Sequence, residues 1–94
     1  LPLEFTLHPN YPNPFNPFTI ISYDLANEAN VHLEIYDLMG RMIKNIVNET
    51  QHAGRHFAMW NATDRFGIPV SAGIYIYSLQ ADNHVFNRKM ILIK

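Results

Sequence analysis

Five histidines (His8, His32, His52, His56 and His84) are the side chains of this 94-residue protein best suited to hold a metal or move a proton. Only His52 and His56 are close in sequence, four residues apart, a spacing that would put both rings on one face of a helix. Gly54 lies between them and strand-forming residues follow. Extended, four residues span roughly 13 Å, too far for one ion to bridge. A nucleophilic triad needs serine or cysteine beside histidine and an acid. There is no cysteine, and Ser22, Ser71 and Ser78 lie in no turn resembling a nucleophile elbow. Asn61, Asp64 and the asparagines near residue 13 could offer oxygens to calcium, but no Asp-x-Asp-x-Asp-Gly pattern supplies the charge. Gly40 and Gly67 suit corners and Gly73 suits a strand start, and no glycine opens a phosphate-cradling loop before a helix. Asn48-Glu-Thr50 and Asn61-Ala-Thr63 fit the N-glycosylation triplet, which arises often by chance. Tyr11, Tyr23, Tyr36, Tyr75, Tyr77 and Trp60 could stack on sugars, but alternation turns several of them inward. The expectation is a protein with no catalytic residues, no metal and no cofactor.

Charge narrows the partners. The net charge is −1 and the basic residues are scattered, so nothing draws the chain to nucleic acid or to an anionic membrane. No apolar run approaches the roughly 20 residues that cross a bilayer, so membrane insertion is not expected. Without cysteine there is no disulfide framework. The sequence starts at Leu1 rather than Met and carries no signal peptide, so it reads as a piece of a longer protein.

The elements that must position these residues are strands. Asn10-Tyr-Pro-Asn-Pro-Phe-Asn-Pro17 allows neither helix nor central strand, because each proline fixes φ and removes a donor. With Tyr11 and Phe15 inside it, residues 8–18 are predicted to form a stiff loop whose aromatics pack on the domain. Beyond it, turn residues recur about every ten positions, the cadence of a sandwich. Strands are predicted at 19–25, 31–36, 42–47, 55–60, 73–81 and 85–93, with a short edge piece at 68–70 and a loop at 48–54. Val31, Leu33 and Ile35 alternate with His32, Glu34 and Tyr36, the pattern of a half-buried strand. On 55–60, His56, Ala58 and Trp60 share one face, and Phe57 and Met59 share the other. The reading is one all-β domain over 1–94, an antiparallel sandwich of six or seven strands.

Several motifs together carry a resemblance. The loop motif followed by Thr19-Ile-Ile-Ser-Tyr23, then Ile35-Tyr-Asp-Leu-Met-Gly-Arg41, Ala53-Gly54, Trp60 and Asp64-Arg-Phe-Gly67, resembles the C-terminal sorting domains (type A) of the type IX secretion system. Ser71-Ala-Gly-Ile-Tyr75 and Lys89-Met-Ile-Leu-Ile-Lys94 complete the pattern, and Phe18 stands where a small polar residue is more usual. The pattern is also similar to the immunoglobulin-like domain of the flagellar hook-capping protein. The resemblance implies an immunoglobulin-like sandwich without catalysis. It implies a passenger on the N-terminal side of the same chain, an outer-membrane translocon and a sortase-like protein as partners, and a route through the periplasm to the surface or medium. The residues matching the family motifs, and so the partner-recognition candidates, are Pro12, Asn13, Pro14, Gly40, Arg41, Gly73, Tyr75, Lys89 and Lys94. Two other readings stay open: a structural spacer of the hook-cap or filament kind, and a carbohydrate-binding accessory of a secreted hydrolase.

Overall fold

Alternation builds the core. In β3 (Ala29–Asp37), Ala29, Val31, Leu33 and Ile35 are buried, while Asn30, His32, Glu34 and Tyr36 face outward. The computed structural model describes all 94 residues and contains seven strands and no helix. The others are β1 (Thr6–Leu7), β2 (Thr19–Leu25), β4 (Met42–Gln51), β5 (Gly54–Trp60), β6 (Gly73–Ala81) and β7 (His84–Leu92). A three-stranded sheet of order β1-β2-β5 faces a four-stranded sheet of order β4-β3-β6-β7, and every pairing is antiparallel. Their inner faces bury Ile21, Tyr23, Leu25 and Trp60 from one side against Val31, Leu33, Ile35, Tyr77, Leu79 and Met90 from the other. Phe57 and Met59 point outward from β5, as their alternation with Trp60 requires.

The structure departs from the sequence expectations at five places. A two-residue strand, β1, pairs with β2 ahead of the first predicted strand. β4 does not stop at residue 47 but runs to Gln51, so the predicted loop at 48–54 shrinks to 52–53. Its polar tail still pairs, Gln51 with Ala29 and Thr50 with Asn30, because an edge ladder needs backbone groups rather than apolar side chains. Residues 68–70 add no strand, only a bridge between Thr63 and Pro69, since proline has no N–H to extend a ladder. Phe15 is 1% exposed as expected, but Tyr11 is 79% exposed, so only one of the loop aromatics packs on the domain. Finally, the chain bends at Ala53 instead of running extended from His52 to His56, and His56 Nε2 lies 2.8 Å from the His52 carbonyl oxygen, while the His52 ring faces Glu28 at 3.5 Å.

Candidate partner-recognition surface

The residues around Asn13 are fixed by hydrogen bonds that proline leaves to side chains. Asn10, 4% exposed, donates from Nδ2 to the Thr19 hydroxyl (2.9 Å) and to the Pro12 carbonyl (3.3 Å), and Thr19 Oγ1 donates to the same carbonyl (2.9 Å). The bonds at Tyr11-Pro12, Asn13-Pro14 and Asn16-Pro17 are all cis. The loop then fastens onto β7. Asn13 Oδ1 accepts from the Ile91 N–H (3.0 Å), Phe15 N–H donates to the Ile91 carbonyl, and Ile93 N–H donates to the Phe15 carbonyl. Phe15 drops into the core against Trp60, ring centroids 5.8 Å apart, and Trp60 meets Tyr75 edge-on at 5.3 Å.

Tyr75 ties this core to the β3–β4 hairpin. It lies opposite Met90 on β7 and Asp37 on β3. Its hydroxyl donates to the Ser71 carbonyl (2.6 Å); burial pushes the phenol above its usual range, and the Asp37 charge adds to that. Asp37 in turn holds the hairpin: Oδ1 accepts from the Met39 and Arg41 N–H groups, and Oδ2 from Arg41 Nε at 2.8 Å. These bonds, the Arg41 N–H first, keep the Asp37 carboxyl below the ordinary carboxylate range. Gly40 closes the turn at φ 82°, where a side chain would be strained.

Asp64 repeats the device. Its Oδ1 accepts from the Phe66 and Ile68 N–H groups, and Gly67 takes φ 80°. The two Asp-x-x-Gly loops flank a cleft of about 330 Å³ lined by Asp37, Arg41, Met42, Ile43, Asp64, Arg65 and Phe66. Arg65 N–H donates to the Ile43 carbonyl and its guanidinium lies 5.7 Å from the Phe66 ring centre. Three of the oxygens offered to calcium in the sequence reading face internal donors: Asn13 that of Ile91, Asn61 that of Thr63, and Asp64 those of its own turn. Asn10 Oδ1 is buried and accepts no hydrogen bond.

The structure therefore brings Pro12, Asn13, Pro14, Gly73, Tyr75, Gly40 and Arg41 to one end of the sandwich, beside the end of β7. It does not bring the two lysines together. Lys89 lies on the outer face of β7 opposite Ile76, and Lys94 follows five residues later, roughly 17 Å along extended chain. Both are exposed and neither forms an ion pair. Sequence reasoning missed Asn10 and the cluster at the opposite end, where Asp24 accepts from His8 (2.8 Å) and from Arg55 Nε (2.8 Å). The Asp64 turn was read from the sequence as a corner at Gly67; its likeness to the Asp37 turn was legible in principle, because Asp37-x-x-Gly40 and Asp64-x-x-Gly67 share their spacing.

The family described as secretion system C-terminal sorting domain matches residues 10–94. The chain belongs to that family. It is a C-terminal sorting signal for type IX secretion, and its destination is the cell surface or the extracellular space. Sorting domains of this family are in general not catalytic, and they engage the secretion machinery as parts of larger chains. Among solved structures, the sorting domain is similar to a region of dimeric latent PorU from Porphyromonas gingivalis, with a TM-score of 0.73 and 21% identity. It is similar also to PorZ, a surface component of the type IX system of P. gingivalis, with a TM-score of 0.65 and 20% identity. It covers 9% of the PorU chain and 11% of the PorZ chain, and 95% and 94% of itself is matched. FlgD from P. aeruginosa is similar over 80% of this chain and 60% of its own, with a TM-score of 0.63 and 24% identity. At these identities the likeness is one of fold. No curated protein matches the sequence.

Proposed function

We propose that residues 1–94 act as one non-catalytic unit, with 8–18 as its stiff leading loop, that directs a larger passenger on its N-terminal side across the outer membrane. The domain stays folded in the periplasm, docks on the outer-membrane translocon, and is met there by a sortase-like protein. The observation that supports this best is the gathering of the motif residues Asn13, Gly40, Arg41, Gly73 and Tyr75 at one end of the sandwich, next to the end of β7. Pro12, Asn13 and Pro14 present a rigid backbone there, Gly40 and Gly73 shape turns, Tyr75 anchors the hairpin, and Arg41, Lys89 and Lys94 offer charge to a partner.

The test is Lys89→Ala with Lys94→Ala in a fusion to a reporter, expressed in a host with type IX secretion. Both side chains are exposed and unpaired, so the melting temperature should hold to within about 0.5 kcal/mol of stability. The passenger should accumulate in the periplasm. Normal surface delivery by the folded double variant would remove the lysines from the docking site. Deleting the whole domain should abolish delivery; delivery that survived that deletion would replace sorting by the spacer role that the likeness to FlgD suggests.

A further inference from the structure

Two turns at the motif end point their carboxylates at their own backbone and leave their arginines free. Asp37 Oδ1 and Asp64 Oδ1 each accept from two N–H groups of their own turn, and Asp37 Oδ2 accepts from Arg41 Nε. Arg41 keeps both terminal nitrogens unbonded, and its side chain is 73% exposed. Arg65 is fixed by its backbone N–H, which donates to the Ile43 carbonyl; its guanidinium lies over the Phe66 ring and makes no hydrogen bond or ion pair within the chain. Both arginines line the cleft between the turns. Charges balance in number there, but the carboxylates face N–H groups that compensate them, and the guanidiniums are left as unsatisfied donors.

The rest of the cleft is apolar. Met42, Ile43 and Phe66 line it, and Leu38, Met39 and Ile68 stand exposed on the same two turns. Arginine, methionine and phenylalanine without lysine is the composition of a protein-recognition patch rather than of an ordinary solvated surface. At about 330 Å³ the cleft is at the small end of ligand sites and admits a few side chains, not a helix. Two guanidiniums above an apolar floor complement a carboxylate with apolar neighbours. A second copy has little of that kind to bring. Every acidic side chain of the chain except Glu4 already faces a donor of its own, Glu28, Glu34, Glu49 and Asp82 included. The passenger side leaves from the other end of a molecule 37 Å long: Thr6 lies opposite Asp24, and Phe5 stacks on His84 at 4.4 Å, whereas the cleft lies where β3 ends and β4 begins. We propose that this cleft binds an acidic peptide segment of a partner protein, its carboxylate taken by Arg41 and Arg65 and its apolar neighbours by Met42 and Phe66. This partner chemistry deepens the docking reading and rests on it in taking the occupant to be a protein.

The test titrates the isotope-labelled domain with acetyl-Ala-Leu-Asp-Phe-Glu-Leu-Ala-amide. Chemical-shift changes should fall on residues 37–43 and 64–67 and weaken as salt is raised. The same peptide with Asn and Gln in place of Asp and Glu should bind at least about tenfold more weakly. Arg65→Gln removes a side chain that bonds to nothing, so it should melt like the parent and bind the acidic peptide about tenfold more weakly. Silence at millimolar peptide, shifts around Asp24 and Arg55 instead, or equal binding by the amide peptide or the glutamine variant would each overturn the proposal. Equal shifts from acetate alone would assign the cleft to a free carboxylate and overturn the peptide partner. Concentration-dependent shifts without peptide would give it to a second copy, and cleft shifts already present in a longer natural chain would give it to that chain; either overturns the assignment. Failure here leaves the lysine test of sorting untouched, because peptide binding is read in solution and delivery in cells.

Discussion

Trp60→Ala tests the link between the core and the motif end of the sandwich. The indole is 1% exposed, packed between Phe15 and Tyr75, and its Nε1–H donates to the Thr63 carbonyl at 2.9 Å. Truncating a buried tryptophan costs about 3–5 kcal/mol in lost transfer energy and cavity. The lost hydrogen bond adds about 1 kcal/mol, which puts the expected loss in the upper half of that range. A chain of this length has about 5–14 kcal/mol to lose, so the variant should be marginal or unfolded at 37 °C. In a melt, the fall should be at least ~15 °C, at ~4–8 °C per kcal/mol for a domain this small. Trp60 is the only tryptophan, so far-UV circular dichroism rather than fluorescence must follow both proteins. The structure makes a second, local demand. Phe15 loses its seat, so the Phe15 and Ile93 amides, which join the loop to the end of β7, should exchange faster than those at the centre of β3. A loss below ~1 kcal/mol would refute the argument, since no tryptophan at the centre of a sandwich is that cheap to remove.

Two further outcomes follow from the turns and charges. The Asp24 carboxyl is held below its ordinary range, first by the Arg55 hydrogen bond and then by His8, so folding favours its charged form. A depressed folded value means stability is present above the unfolded carboxylate pKa and is lost as pH falls through the folded one. Urea melts should show stability falling below about pH 4, and Asp24→Asn should be weaker at pH 7 with a shallower acid limb. An unchanged acid limb in that variant would assign the loss to other carboxylates, Asp37 first, whose shift has the same sign. Gly40→Ala should cost about 1–2 kcal/mol in the same assay. A Cβ there meets nothing within 4 Å, so the cost is torsional at φ +82° rather than steric. Gly40→Asn should cost less than alanine, and an alanine variant as stable as the parent would mean the turn relaxes.

Most strands, and the inward face of some, were legible because one-dimensional alternation determines them; the two-residue β1 was too short to show it. Once Val31, Leu33 and Ile35 must face one way, β3 has one buried side; on β5 the alternation set Trp60 against Phe57 and Met59, and the family resemblance rather than the alternation favoured Trp60 as the inward one. The prolines by themselves excluded regular structure near residue 13. The motif residues also carried the family, which matches residues 10–94. What alternation cannot encode is which strand lies next to which. The polar tail of β4 reads as a loop until Ala29 and Asn30 are beside it, because ladder bonds belong to backbone and leave no mark in residue type. Tyr11 and Phe15 look equivalent in sequence, yet only Phe15 lies over the gap between Trp60 and the end of β7, so only it is buried. Whether the His56 ring reaches the His52 carbonyl depended on the bend between β4 and β5, and whether the motif residues share a surface depended on two sheets folding over each other. The Asn13–Ile91 bond joins residues 78 positions apart, a proximity that only tertiary packing decides, because chain closure over that distance is driven by burial summed over the whole core.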